Sequence, residues 1–123
     1  MTSPTQLTKK HCAKLDWVVT VAEYWNSFAR IRQDLFGFID LVALTGESII
    51  GIQATTRGNV ASRKAKIDAL EAAVEWQKSG GIIEVWGWGK LCARNSDGKR
   101  LKQKTWQLVR WRRRKDGGWS EED

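Results

Sequence analysis

The sequence predicts an α/β domain, in which amphipathic helices pack against a β-sheet. Helical periodicity occurs near the N-terminus and again in residues 59–79, whereas dense β-branched and aromatic composition marks residues 17–25, 38–55 and 82–88. A chain of 123 residues is long enough to bury a hydrophobic core without disulfide bonds. We therefore expect a single domain that spans residues 1–123.

The first helix is predicted to begin at Pro4. Ser3 can cap it, and proline is tolerated at the first helical position because its missing N–H would have no partner there. Leu7, His11 and Leu15 recur every four residues and give the helix one apolar face. This face is expected to pack on the sheet.

Residues 17–25 are predicted to form the first strand. Glu23 has the same parity as Trp17 and Val19. Because alternate side chains of a strand lie on one face, a buried first strand would direct Glu23 inward, towards Asp40. Residues 26–37 are predicted to be a long connecting loop, of the kind that often carries function.

Asp40 is distinctive because its neighbours in residues 38–44 are all apolar. A carboxylate on a largely buried strand is costly unless it is paired or coordinates a cation. Turn residues follow, and residues 49–54 are predicted to return as the next strand. Gln53 and Thr55 lie two residues apart, so their side chains share a face and can converge on Asp40.

The core, residues 1–89, is expected to end with a second helix capped by Asn59 and a fourth strand at residues 82–88. Lysine- and arginine-bearing segments follow, and residues 90–115 are predicted to form a basic β-hairpin extension. Residues 116–123 are predicted to be a frayed tail.

This order of helix, three-stranded meander, helix and strand resembles the core of the PD-(D/E)XK, or restriction-endonuclease-like, nuclease superfamily, which includes Holliday-junction resolvases and phage-associated nuclease domains. In the superfamily pattern an Asp begins the second strand and a Glu-x-Lys lies in the third. Asp40 matches the first position, while Gln53 stands where Glu is expected and Thr55 where Lys is expected. The resemblance covers about the first ninety residues and predicts a restriction-endonuclease-like core.

The resemblance implies a site for Mg²⁺ or Mn²⁺, because carboxylate, amide and carbonyl oxygens are the ligands that hard cations prefer. The implied metal ligands are Asp40, Gln53, the backbone carbonyl of Ala54, and Glu23. Thr55 lies in the same catalytic set. In place of the superfamily lysine, we expect a cation of the second helix to stabilise charge, with Lys66 assigned to catalysis and Arg63 and Lys64 to nucleic-acid binding.

Basic residues are concentrated at the C-terminal end of the chain. The net charge is +7, of which residues 90–123 carry +6 and residues 1–89 only +1. Such an appendage is typical of proteins that bind polyanions. The predicted nucleic-acid contacts in this part of the chain are Arg110, Arg112, Arg113 and Arg114. Trp25, Trp88, Trp111 and Trp119 lie beside loops or basic residues, where an indole can stack on an unpaired base or on arginine.

The leading functional hypothesis is metal-dependent hydrolysis of DNA by an endonuclease, with branched or junction DNA as a candidate substrate. The resemblance further implies a homodimer, since resolvases cut junctions at paired positions, and an origin in a phage or another mobile element. A second hypothesis is a degenerate nuclease fold that binds DNA or a protein partner without cleaving. A third is an RNA-binding protein that uses the C-terminal hairpin.

Other classes of function are disfavoured. Cys12 and Cys92 form no CxxC or Cys/His cluster, and His11 is the single histidine, so zinc sites and histidine-dependent catalytic triads are not expected. The sequence contains no glycine-rich phosphate loop, and we expect no nucleotide cofactor. It contains no apolar run long enough to cross a membrane and no signal segment, which predicts a cytoplasmic protein without a membrane partner.

Overall fold

A computed structural model describes residues 2–122, apart from the side chains of Ala93 and Leu101. Over this range the fold is mixed α/β, with three α-helices and a mainly antiparallel sheet. The elements in chain order are α1 (Pro4–Lys14), β1 (Val18–Val21), β2 (Tyr24–Asn26), β3 (Ile31–Gln33), β4 (Leu41–Leu44), β5 (Ile49–Thr56), a 3-10 turn (Arg57–Asn59), α2 (Val60–Asp68), α3 (Glu71–Lys78), β6 (Ile82–Arg94), β7 (Arg100–Arg113) and β8 (Trp119–Glu122).

The large sheet has six strands in the order β1-β4-β5-β6-β7-β8. Strands β1, β4 and β5 form an antiparallel meander, and the crossover through α2 and α3 places β6 parallel to β5. Strands β7 and β8 then extend the sheet in antiparallel fashion. A separate two-stranded sheet, β2-β3, is inserted between β1 and β4.

The two faces of the sheet bury different clusters. On one face α1 packs over a cluster that includes Leu41, Ile52 and Trp86. On the other face Ile67 of α2 and Ala73 of α3 pack in a cluster with Phe38, Ile39, Ile83 and Val85. Side chains alternate across a strand, and one set of alternate positions in β4 and β5 supplies apolar residues to the α1 face. The other set faces α2, and in β5 it includes the polar residues Gln53 and Thr55.

The first helix confirms its sequence prediction. Pro4 is the first residue of α1, and the Ser3 hydroxyl and Gln6 side chain form a reciprocal capping box with the backbone. The packed face differs slightly from the expected one, since Thr8 is buried while Leu15 is exposed. Burial of Thr8 is compensated because its hydroxyl accepts a hydrogen bond of 2.9 Å from the Trp88 indole.

The prediction of one strand over residues 17–25 and a plain loop over 26–37 is wrong. The chain leaves the large sheet after Val21, and residues 24–26 instead pair with residues 31–33 as the β2-β3 hairpin. Aromatic and β-branched residues do form strands here, but such composition does not specify which strand each one pairs with.

The second helix is also divided. A single helix over residues 59–79 was expected, whereas the backbone of Leu70 is extended and separates α2 from α3. The break changes which face of the chain is buried. Val74 is exposed, and its neighbour Ala73 is buried.

The C-terminal region differs from its prediction in two ways. Strand β6 runs without interruption through residues 82–94, so the fourth strand and the first arm of the hairpin are one element. Residues 119–122, expected to be frayed, form β8 and pair with the end of β7. The basic hairpin is therefore continuous with the large sheet.

A buried ion-pair network ties β6 to β7. Glu84 is completely buried, and its carboxylate accepts hydrogen bonds from Arg110 Nε at 3.0 Å and Arg112 Nη2 at 2.7 Å. The Trp86 indole donates a further bond of 2.8 Å to Glu84 Oε1. These donors compensate the desolvation of the carboxylate, and Glu84 in turn compensates two guanidinium groups.

Replacement of Glu84 by Gln is expected to lower the free energy of unfolding by about 3–5 kcal/mol, because it leaves two partly buried guanidinium groups without their counter-charge. Urea denaturation at neutral pH measures the change. Glu122→Gln is the matched control: Glu122 is partly exposed and 3.8 Å from Arg112 Nε, so the loss should stay below about 1 kcal/mol. Equal losses in the two variants would contradict a structural role specific to Glu84.

Candidate metal site and nucleic-acid interface

Three carboxylates meet beside the end of the large sheet that faces the β2-β3 hairpin. Glu23, Asp34 and Asp40 each place one oxygen within 4.8 Å of the other two. Asp40 is buried, with 6% relative exposure, and the other two are half-buried. The predicted approach of Glu23 to Asp40 is thus seen in the structure, and Asp34 joins them.

The insertion of the hairpin accounts for this convergence. Glu23 immediately precedes β2 and Asp34 immediately follows β3, so antiparallel pairing returns the chain to its starting point and brings the two acids together. Ala22 N–H donates to the backbone carbonyl of Asp40 at 2.8 Å, which holds the base of the hairpin against the start of β4.

Asp40 and Gln53 lie on neighbouring antiparallel segments, with side chains on the same face of the sheet. Gln53 Nε2 donates to Asp40 Oδ2 at 2.6 Å, and the backbone N–H of Ala54 donates to the same oxygen at 3.0 Å. The Ile52 carbonyl accepts from Asp40 N–H. Carbonyls of residues two apart on a strand lie on the same side of it, so the Ala54 carbonyl, like that of Ile52, is on the side of β5 that faces Asp40. This is the orientation that the predicted metal ligand requires.

Lys66 reaches the acidic cluster from α2. Its ammonium lies 3.3 Å from Asp34 Oδ2 and 3.4 Å from Gln53 Oε1. The Gln53 amide therefore bridges Lys66 and Asp40, since it accepts from the former and donates to the latter. Thr55 is buried two residues farther along β5, but the hydrogen bonds described for Asp40 run through Gln53 and Ala54.

The electrostatics of the cluster favour one proton held between Asp40 and Asp34. Burial, the hydrogen bond to Asp34 and the negative charge of Asp34 together raise the pKa of Asp40 to about 8. Burial alone would raise the pKa of Asp34, but the hydrogen bond from Asp40 and the charge of Lys66 outweigh it, so that pKa is lowered. Near neutral pH Asp40 is the protonated partner, and Asp34 carries the charge.

Lys64, another predicted cation of α2, contacts an aromatic ring of β7. The Lys64 ammonium sits 3.3 Å from the centroid of the Trp111 ring, on the side of β7 and β8. Burial is the main cause of the lowered pKa of Lys64. Arg63 is half-buried, and its Nε atom is buried without a hydrogen-bond partner among the described residues.

The predicted arginine cluster of β7 is largely engaged within the fold, a role that the sequence did not indicate. Arg110 and Arg112 bind Glu84, and their side chains are 11% and 36% exposed. Arg113 pairs with Asp68 and is 10% exposed, while Arg114 is 51% exposed and pairs with Asp116. Charge on this strand is therefore partly neutralised by internal partners.

Exposed basic side chains are concentrated in the outer half of the β6-β7 hairpin. There the basic residues of both strands and of the connecting turn are exposed. The exposed basic residues of this outer half are Lys90, Arg94, Lys99, Arg100, Lys102 and Lys104. A two-stranded ribbon with this composition is suited to contact a polyanion.

A groove of about 610 Å³ lies against the acidic cluster. Asp34 lines its inner end, Arg32 and Lys66 supply positive charge, and Tyr24 and Phe36 form aromatic walls. Its size falls in the range of about 300–1,000 Å³ that is typical of ligand pockets. The groove therefore gives solvent access to Asp34 and Lys66, while Asp40 lies buried behind them.

Of the residues in this site, sequence reasoning missed Asp34. Its signal was weak but present: Asp34 is the single acidic residue in the stretch 26–37, which was identified as a long loop of the kind that carries function. The tryptophans predicted to stack on bases differ in their exposure. Trp88 is buried, whereas Trp25 is 60% exposed.

Comparisons of this chain with models of protein families, with curated proteins and with solved structures gave no match. Among the helices of residues 2–122, none combines the length and the apolar character needed to span a membrane.

The pKa of Asp40 predicts how the stability of the metal-free protein depends on pH. Folded Asp40 keeps its proton up to about pH 8, whereas an unfolded aspartate loses it near pH 3.8, so the folded state binds more protons between these values. The free energy of unfolding should fall as pH rises through this window and level off above it. The lowered pKa of Asp34 makes the free energy of unfolding rise with pH, but this effect is confined to more acidic pH.

Asp40→Asn should remove this contribution, because an amide can donate to Asp34 while its oxygen accepts from Gln53 and Ala54. In EDTA the variant should exceed wild type in stability increasingly from pH 5 to pH 8. Urea titrations across that range measure the difference. Asp97→Asn, in an exposed turn, is the matched control and should follow wild type. A constant difference between Asp40→Asn and wild type would contradict proton sharing.

Proposed function

We propose that this protein is a metal-dependent endonuclease that acts on DNA, including branched DNA. The observation that carries the proposal is the convergence of Glu23, Asp34 and Asp40 with Gln53 and Lys66 at one end of the sheet, beside an open groove. Carboxylates, an amide oxygen and an ammonium group are the side-chain types that metal-assisted phosphodiester hydrolysis requires.

The order of elements supports a restriction-endonuclease-like core. Helix α1, the antiparallel meander β1-β4-β5, the helices α2 and α3, and the parallel strand β6 follow the order expected of that superfamily. Asp40 lies at the start of the second strand of this meander and Gln53 in the third. The β2-β3 hairpin is an insertion into this order, and it supplies Asp34.

The carboxylates fit a small divalent cation. Around an octahedral Mg²⁺, opposite oxygens lie about 4.2 Å apart and adjacent ones about 3 Å apart, so oxygens that already lie within 4.8 Å of one another can close on one ion through side-chain movement. Asp40, Asp34 and Glu23 would hold the ion, with Gln53 Oε1 and the Ala54 carbonyl as further oxygens. A bound Mg²⁺ or Mn²⁺ would neutralise charge on the scissile phosphate and activate water.

Lys66 is proposed to take the place of the superfamily lysine. Thr55 carries no charge, whereas the Lys66 ammonium lies within hydrogen-bonding distance of Gln53 and Asp34. From this position it can donate to a phosphate oxygen and stabilise the charge that develops on it. The positive charge thus comes from the helix after the third meander strand instead of from the strand itself.

The outer half of the β6-β7 hairpin is proposed to hold the DNA. Its exposed lysines and arginines carry charge that few internal partners neutralise, in contrast to Arg110 and Arg113 of the inner half. Arg112 and Arg114, which are more exposed, remain predicted contacts. Phosphate contacts from such residues position the duplex without reading its sequence.

The alternative is a degenerate nuclease fold that binds DNA or protein without cleaving. It is favoured by the hydrogen bonds of Asp40, which satisfy the carboxyl group through Gln53, Ala54 and a shared proton. Such an arrangement is stable as a purely structural acid pair. The two functions differ in one measurable property, the response of the carboxylates to a divalent cation.

Cleavage of DNA is expected to require Mg²⁺ or Mn²⁺ and to be abolished in Asp40→Asn, which removes a ligand without changing side-chain size. Linear duplex, single-stranded and four-way-junction DNA should be tested with each cation. The cation should also raise the melting temperature of wild type and leave that of Asp40→Asn unchanged, because a ligand stabilises the state that binds it. Gln53→Glu should increase the cation-dependent shift by restoring a carboxylate.

Lys66→Met should reduce the rate of cleavage about 100-fold or more while the cation-induced melting shift persists, because Lys66 acts on the phosphate and not on the ion. Lys78→Met is the matched control, since Lys78 is exposed on α3 and pairs only with neighbouring Glu75. Absence of product from every DNA, together with no cation-induced shift, would establish the degenerate fold instead.

DNA binding should weaken with salt, and the slope should depend on the outer half of the β6-β7 hairpin. Replacing Lys99, Lys102 and Lys104 by Gln should reduce the log–log slope for duplex DNA by about 2–3, since each lost phosphate contact contributes about 0.9. Fluorescence anisotropy over a range of salt concentrations measures the slope.

The matched control changes the same amount of charge on α1, through Gln substitution of Lys9, Lys10 and Lys14, which are exposed there. This variant should keep a slope near that of wild type. Equal reductions in both variants would show that affinity follows net charge and would contradict a DNA interface on the hairpin.

A further inference from the structure

The β2-β3 hairpin presents an unusual concentration of exposed aromatic surface. Phe28 at its tip is fully exposed, with 102% relative exposure, while Trp25 and Tyr24 are 60% and 50% exposed. Ile31, across the turn, is also exposed. Exposed apolar side chains grouped on one small element mark an interaction site more often than scattered ones do.

The tip is held in a defined conformation. Asn26 Oδ1 accepts from the backbone N–H of Phe28 at 3.0 Å and of Ala29 at 3.1 Å, and Arg30 N–H donates to the Asn26 carbonyl at 2.7 Å. Gln33 accepts from the side chains of both Tyr24 and Asn26, which fastens the two strands together. Phe28 is therefore presented by a preorganised turn, which reduces the entropic cost of binding.

The hairpin is positioned directly at the acidic cluster. The residue before it is Glu23 and the residue after it is Asp34, and Arg32 Nη1 lies 3.9 Å from Glu23 Oε1. Tyr24 and Arg32 also line the groove that leads to Asp34. A ligand that contacts the hairpin and enters the groove would consequently reach Asp34.

The charge of the hairpin indicates the chemistry of its ligand. Residues 24–33 contain Arg30 and Arg32 and no acidic residue, and Lys66 adds a third cation at the groove. Aromatic rings and arginines on facing strands of one hairpin match the bases and phosphates of a single strand of nucleic acid. In a paired duplex the faces of the bases are covered by stacking and are not accessible to such rings.

We propose that the β2-β3 hairpin stacks on unpaired bases and directs a single-stranded segment into the groove beside the acidic cluster. The substrate class would then be DNA in which duplex adjoins unpaired nucleotides, such as a flap or an opened branch point. This inference deepens the proposed function, on which its catalytic consequence rests, but the stacking itself needs neither metal nor cleavage.

The test measures binding in EDTA, using a duplex with a single-stranded overhang that carries 2-aminopurine at the first unpaired position. Phe28→Ala should weaken binding of this DNA at least about fivefold, the lower end of the effect of removing one stacking ring, and should abolish the change in 2-aminopurine fluorescence. Binding of the fully paired duplex should not change. Because Phe28 is fully exposed, the substitution removes no core contact.

Two further variants serve as controls. Phe28→Tyr keeps an aromatic ring and should retain binding close to wild type. Val18→Ala removes exposed apolar surface from the sheet edge, away from the hairpin, and should have no effect on either DNA. Unchanged overhang binding in Phe28→Ala, or an equal loss on both DNAs, would overturn the proposal.

Sedimentation of wild type and Phe28→Ala distinguishes another use of the same surface. If Phe28→Ala dissociates an oligomer and leaves DNA binding unchanged, the hairpin contacts a second copy of the chain and the proposal is wrong. Cleavage assays in Mg²⁺ separate this inference from the proposed function. Stacking without any cleavage would refute the nuclease alone, whereas cleavage together with unchanged overhang binding in Phe28→Ala would refute the stacking element alone.

Discussion

Repulsion among three carboxylates is the constraint around which this end of the molecule is arranged. Glu23, Asp34 and Asp40 converge within 4.8 Å, and like charges at such distances destabilise a fold unless protons or cations compensate them. The compensating groups come from β5, from α2 and from a bound proton. Strand β5 supplies the Gln53 amide and the Ala54 N–H, helix α2 supplies Lys66, and a proton is shared between Asp34 and Asp40. The positions of these elements are therefore electrostatically linked.

This arrangement also determines what the proposed cation would have to replace. The proton on Asp40 and the ammonium of Lys66 occupy the role that a divalent ion would take. A cation that binds must displace the proton, so binding and deprotonation are coupled. The same coupling separates the two functions considered, because a purely structural acid pair would keep its proton when the cation is added.

Sequence reasoning predicted the parts of this site that depend on local pattern. The apolar surroundings of Asp40 and the parity of Gln53 indicated a shared face, and the hydrogen bond between them confirms that geometry. Asp34 was not predicted because its position depends on the β2-β3 pairing, and composition alone does not specify strand partners. The same limit applies to Arg110 and Arg112. A basic run in sequence does not show that a buried Glu84 lies opposite.

The insertion of a hairpin between two acidic residues has a structural consequence for specificity. Glu23 and Asp34 are eleven residues apart in sequence, yet antiparallel pairing makes them neighbours and directs everything between them outward. Any group at the tip is therefore at a fixed distance and direction from the carboxylates. Substitutions at Phe28 or Trp25 can alter the surface of the hairpin without disturbing the core, since both side chains are exposed. The proposed recognition and the proposed chemistry thus share one short segment but depend on different side chains.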